Sequence, residues 1–120
     1  MPNNAICHIE VPVKDAKKAA AYYERLFGWK MNHDMGDDYV LFQPADGVGG
    51  AFSKTKDHTP AAGIMFYVYV EDIEGFLKKA VDLKGKEIRP KSDIPGVGWF
   101  GLFADPDGNV IGLFTGKPQS

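Results

Sequence analysis

A chain of 120 residues, 44 % of them hydrophobic, has the size of one domain built round one core. Its 14 Lys and Arg against 16 Asp and Glu give a formal charge of −2, which leaves no basic face to follow a phosphate backbone and excludes nucleic acid as the expected partner. The longest uncharged apolar run, Gly63 to Val70, is too short to span a bilayer, and "MPNNAICHIE" has neither a basic n-region nor a long apolar stretch, so no membrane partner and a cytoplasmic location are expected.

The first element is a strand from Ala5 to Val11, in which Cys7, Ile9, Val11 and Val13 alternate with His8, Glu10 and Pro12. One face is therefore apolar and the other carries ionisable groups. Cys7, the single cysteine, excludes an internal disulfide and a multi-cysteine zinc site, suits a reducing compartment, and reads as a small apolar residue. Asp15 follows as an N-cap, and Ala16, Ala19, Ala20, Tyr23, Leu26 and Phe27 mark the apolar stripe of a helix that Gly28 ends in a left-handed conformation. Three short strands come next, at Trp29 to His33, Tyr39 to Gln43 and Val48 to Ser53, separated by the turn compositions "MGDD" and "PADG".

The pattern then repeats. A strand from Ile64 to Val70 leads to Asp72, a helical stripe of Ile73, Phe76, Leu77, Ala80 and Val81, and Gly85. Three strands follow at Lys86 to Arg89, Trp99 to Ala104 and Val110 to Thr115, with turns at "IPGVG" and "DPDGN". Val13-Lys14-Asp15 and Gly28 recur as Val70-Glu71-Asp72 and Gly85, an offset of 57 residues. The expected fold is α+β: duplicated βαβββ modules, about 5–54 and 63–115, within a single domain. One helix covers one face of each four-stranded sheet, and the other faces form a concave eight-stranded cleft for a ligand.

Asp105-Pro106-Asp107-Gly108-Asn109 with its flanking strands, "AAAYYERLFGW" from Ala19 to Trp29, and "HIEVPVKD" entering the first helix, set on the 57-residue repeat, resemble the vicinal oxygen chelate superfamily. This is the glyoxalase, bleomycin-resistance and extradiol-dioxygenase group. The resemblance implies a divalent metal held by one residue from the first strand and one from the last strand of each module. His8 matches the first of these positions. The repeat puts the second at Met65, where a histidine is usual, and the third falls around Gly50 to Phe52, which offers no carboxylate. The fourth, usually glutamate, is Gly112. With one of four ligands retained, the expectation is a cleft without metal or other cofactor, made roomier at Gly112, that binds a small organic molecule. The alternative that the resemblance carries is a metal-dependent lyase or isomerase of the lactoylglutathione lyase kind, or a dioxygenase. It also implies a homodimer.

His8 and Glu10 share one side of their strand and are the candidate acid/base pair, His8 being able to change charge near neutral pH. Met65, Tyr67 and Tyr69 share a face opposite Phe66, Val68 and Val70, and with Trp99 and Gly112 they are the candidate ligand-binding residues, a wall suited to a planar molecule. Trp99 is expected to look into the cleft. Pro95-Gly96-Val97-Gly98 reads either as a lid or as an ordinary hairpin connection. Asp105 and Asp107 are turn formers, and Lys78, Lys79, Lys84 and Lys86 a solvated helix end. His33 and His58 have no metal-ligand spacing.

Overall fold

The computed structural model describes residues 3–54 and 63–118. The elements follow in the order β1 (Ile6–Pro12), α1 (Ala16–Phe27), β2 (Lys30–Asn32), β3 (Tyr39–Gln43), β4 (Gly50–Ser53), β5 (Met65–Tyr69), α2 (Ile73–Asp82), β6 (Lys86–Ile94), β7 (Gly98–Ala104) and β8 (Val110–Gly116). This is βαβββ twice, an α+β fold. The chain forms two compact units, residues 7–66, and residues 67 onward together with the N-terminal residues through Ile6. Backbone bonds attach that N-terminal piece to β5: Asn4 N–H donates to the Tyr69 carbonyl at 2.7 Å and Tyr69 N–H to the Ala5 carbonyl at 2.9 Å.

In the first unit the strand order is β2-β3-β4-β1, with β1 parallel to β4 and the other pairs antiparallel. Asp15 caps α1 by accepting from Lys18 N–H at 3.0 Å, and Gly28, at φ 75°, ends it in the left-handed region open to glycine. Ala16 and Ala20 press on Val40, Phe42 and Phe52, with Ile9 and Val11 packed against the same cluster. Two alanines bring the helix close to the sheet, and rings fill the flank. Tyr23 stacks on Trp29 at 5.7 Å, Trp29 on Phe42 at 4.9 Å, and Phe27 on Trp29 at 5.0 Å. Such pairs add about 0.5–1.5 kcal/mol each beyond the area they bury.

In the second unit the order is β5-β8-β7-β6, with β5 parallel to β8. Asp72 caps α2 through Gly75 N–H at 3.0 Å. The left-handed residue after this helix is Lys84, at φ 78°, and not Gly85. Gly85 is required for another reason: a Cβ there would stand 2.6 Å from the Ala104 carbonyl oxygen and 2.9 Å from that of Ala80. The core is Val70, Ile73, Leu77 and Leu113, with Val68, Trp99 and Phe103 packed on it. β6 runs five residues past its expected end at Arg89, through Pro90. That proline is tolerated because β6 is the last strand in this unit's order and its register shifts on both sides of Arg89. The β6–β7 connection is then a tight turn in which Val97 N–H donates to the Ile94 carbonyl at 2.9 Å and Gly96 takes φ 75°. Pro95 and Gly96 suit the two central positions of such a turn, so the segment is a hairpin connection.

Candidate functional site

Alternation along β1 decides which groups meet. Ile9 and Val11 pack towards α1, so His8 and Glu10 stand on the face turned away from it. Val40 is part of the same core, so Tyr39 lies on the His8 face too. Its partner across the ladder is Ser53, and β4 lies between β3 and β1. The phenol nevertheless reaches β1, because the residues of β4 on this face, Ala51 and Ser53, are small. Tyr39 Oη donates to Glu10 Oε2 at 2.9 Å, and His8 Nε2 lies 2.9 Å from the same phenol oxygen.

These contacts fix the direction of the protons. A phenol has one hydrogen, and Glu10 receives it, so His8 Nε2–H is the donor to Tyr39 Oη. The neutral imidazole then carries its lone pair on Nδ1, the atom with which it can act as a base. Glu10 is only 5 % exposed. Burial pushes the His8 imidazole below its ordinary 6.5, and the opposing pull of the Glu10 charge is the smaller effect. His8 is therefore neutral at pH 7 and joined through the phenol to the carboxylate. Beside Tyr39, Ser53 is fully buried and its Oγ has no hydrogen-bond partner among the described residues. Cys7 is half-buried on the opposite face of β1, where burial pushes its thiol up from 9.0, as suits an unreactive packing residue.

The other expected site residues fall as follows. Met65 and Tyr67 are buried. Val68 packs on the α2 core, so Tyr67 and Tyr69 face away from that helix, and Tyr69 meets Phe114 edge-on at 6.1 Å. Trp99 departs from expectation. It packs on the α2-side core, with Lys91 Nζ 5.0 Å and Lys117 Nζ 5.4 Å from its ring. Strand parity explains the difference: Gly101 lies under Ile73 and Leu77 of α2, so Trp99 and Phe103 share that side and Phe100 and Leu102 take the other. Gly112 also differs from expectation, since the space over it is filled by a ring. It pairs with Tyr67 across β5 and β8, and a Cβ at 112 would run into Cδ2 and Cε2 of that ring and stand 2.7 Å from Cγ. The Tyr67 ring covers the glycine. Asp105 and Asp107 are turn residues, Asp105 accepting from Asp107 N–H and from both nitrogens of Asn109. His33 is exposed in a turn, and His58 lies outside the described residues.

Tyr39 is the member that sequence reasoning missed. The signal available was the pair of small residues, Ala51 and Ser53, on one face of the strand that follows it.

The sequence model of the Glyoxalase/Bleomycin resistance protein/Dioxygenase superfamily matches residues 5–113. A glyoxylase-like domain-containing protein of Didymella fabae is 28 % identical over 119 residues, covering 92 % of each chain. Among solved structures, methylmalonyl-CoA epimerase from Mycobacterium tuberculosis aligns with a TM-score of 0.73 at 14 % identity, over 98 % of this chain and 93 % of the epimerase. The Mn(II)-bound glyoxalase from Novosphingobium aromaticivorans aligns with a TM-score of 0.67 at 15 % identity, over 98 % of this chain, which spans 42 % of that glyoxalase. At these identities the structures speak for the fold alone.

A catalytic divalent metal takes about three protein ligands from imidazole, carboxylate or thiolate. Among the described residues no three of His, Cys, Asp and Glu come close enough to hold one. Of the positions where ligands are expected by resemblance, only His8 offers a donor of that kind. Met65 offers a thioether, residues 50–52 offer no side-chain donor, and Gly112 lies under Tyr67. The donor set of the described residues does not fit the metal.

Proposed function

The chain belongs to the glyoxalase/bleomycin resistance protein/dioxygenase superfamily, and from that premise we propose that it binds a small organic molecule at the His8–Tyr39–Glu10 face without a divalent metal. The observation that carries this reading is the hydrogen-bonded chain itself. Glu10 is buried but held by Tyr39, and Tyr39 is held in turn by His8, so the face offers oriented polar groups to a ligand. The Ser53 hydroxyl is a further hydrogen-bonding group on the same face.

The test is a thermal-shift screen of planar phenols, aromatic carboxylates and α-hydroxyketones in the presence of EDTA, on the wild type and on Tyr39→Phe. A ligand at a hundredfold excess over its Kd stabilises by about 2.7 kcal/mol, which for a domain of this size raises the Tm by roughly 10 °C. The expected hit survives the chelator and weakens in Tyr39→Phe. Hits that appear only when Zn²⁺, Ni²⁺ or Mn²⁺ is supplied would overturn the proposal. The direction of the relay favours a second reading, acid/base catalysis without metal, in which neutral His8 takes a proton at Nδ1 and the Glu10 charge, transmitted through Tyr39, steadies the imidazolium. Turnover that persists in EDTA and is lost in His8→Ala separates catalysis from binding.

A further inference from the structure

The second unit contains an apolar cavity of about 410 Å³ on the helix side of its own sheet. Its origin is legible in the repeat. Adding 57 to Tyr23, Phe27 and Trp29, the rings that fill the flank of α1, gives Ala80, Lys84 and Lys86. The second module carries none of these three rings, and of the three positions Ala80 lines the cavity. α2 lies mainly over β6 and β7, so the helix side of β5 is left without that filling. The cavity is what remains, with Val68, Val70 and Leu113 as its floor and Phe76, Ala80 and Leu83 as the helix wall.

Phe76, Ala80 and Leu83 follow one stripe of α2 and its C-cap, adjacent to the Ile73 and Leu77 stripe that makes the core. Leu83 is 64 % and Phe76 36 % exposed, so the wall is open to solvent at its edge. The polar residues of the lining are Asn4, Lys79 and Asp105. Asp105 is committed to its turn, where its two oxygens accept from Asp107 N–H and from Asn109. Lys79 and Asp105 are thus the two charged residues of the lining; Asp105 is held by three N–H donors of its own turn, whereas exposed Lys79 forms no salt bridge with any described acid.

We infer that this cavity is a binding site for an alkyl carboxylate, its chain lying between α2 and β5 and its head group at Lys79. Four branched aliphatic residues, Val68, Val70, Leu83 and Leu113, line the cavity beside the rings of Phe76 and Phe103, a wall that suits a flexible chain, and an anionic head complements Lys79, the lining's cation without a described ion pair. With about 30 Å³ per water-sized group, the cavity has room for roughly a dozen methylenes.

The test is titration of the full chain with dodecanoate, dodecanol, dodecylammonium and 2-naphthoate, followed by calorimetry and by amide chemical shifts. Saturable dodecanoate binding is expected, with shifts at Val68, Val70 and Leu113 and none at His8 or Tyr39. Ala80→Tyr returns to the cavity the ring that Tyr23 supplies in the first unit, and should weaken dodecanoate more than tenfold. Leu83→Glu, a change at an exposed position, serves as a second blocking variant should the first fail to fold. Lys79→Ala should weaken dodecanoate by roughly two- to fivefold, the scale of a partly exposed ion pair, and leave dodecanol unchanged. The inference is overturned by absence of saturable binding, by binding indifferent to both blocking variants, or by 2-naphthoate binding tighter than dodecanoate. It is also overturned by ligand-free self-association that either blocking variant dissolves, since the occupant would then be a second copy.

Discussion

Replacing Gly112 by alanine adds a single carbon, and its cost follows from one contact. The new Cβ would overlap Cδ2 and Cε2 of Tyr67 and stand 2.7 Å from Cγ. Cγ is the root of the ring, so the tyrosine cannot swing its far end aside and must change rotamer within a site where it is 9 % exposed. Overpacking of this kind costs about 1–3 kcal/mol, or roughly 4–12 °C in Tm for a domain of this size. Tyr67→Ala alone should cost about 3–5 kcal/mol through the volume it deletes. Once the ring is gone, however, Gly112→Ala should change stability by less than about 0.5 kcal/mol, with a small gain available from the lost flexibility of glycine. The double-mutant cycle in urea therefore predicts a coupling of about 1–3 kcal/mol between positions 67 and 112. Equal costs for Gly112→Ala in both backgrounds, or no cost in the wild type, would refute the claim that the glycine exists to seat the ring.

Three further outcomes are expected. Tyr39→Phe removes the donor to a buried carboxylate and should cost about 1.5–3 kcal/mol in urea denaturation. Because burial holds the His8 pKa below 6.5, the unfolded chain binds the proton more readily than the native one. The contribution of this residue is thus full above pH 6.5 and falls as the pH drops below it, so thermal melts from pH 8 to 5 should show a decline that His8→Gln flattens. Ser53→Ala deletes a buried hydroxyl that has no partner among the described residues, and should leave stability unchanged or raise it by up to about 1 kcal/mol while weakening any ligand of the Tyr39 face.

The duplication was legible because helix caps and apolar periodicity are local: Asp15 and Asp72 cap their helices, and all eight strands appear within a few residues of their expected positions save the far end of β6. What was not legible depended on neighbours. The side on which Trp99 lies is set by Ile73 and Leu77 resting over Gly101, which no pattern within the strand reveals. Gly112 was readable as the loss of an acidic position, but its occupant, Tyr67, belongs to another strand 45 residues away and is placed there by the β5–β8 register. Tyr39 enters the site only because its phenol passes over a strand of small residues to reach β1. His8 and Glu10 could be paired from their spacing, and the group that joins them could not.

The central claim is that the His8 face works without a divalent metal, and the most direct test is elemental analysis of untagged protein purified without chelators, followed by titration with Ni²⁺, Zn²⁺, Mn²⁺ and Fe²⁺. The donor set predicts far less than one metal per chain and no saturable binding. Near one equivalent of tightly held metal, lost in His8→Ala, would contradict it.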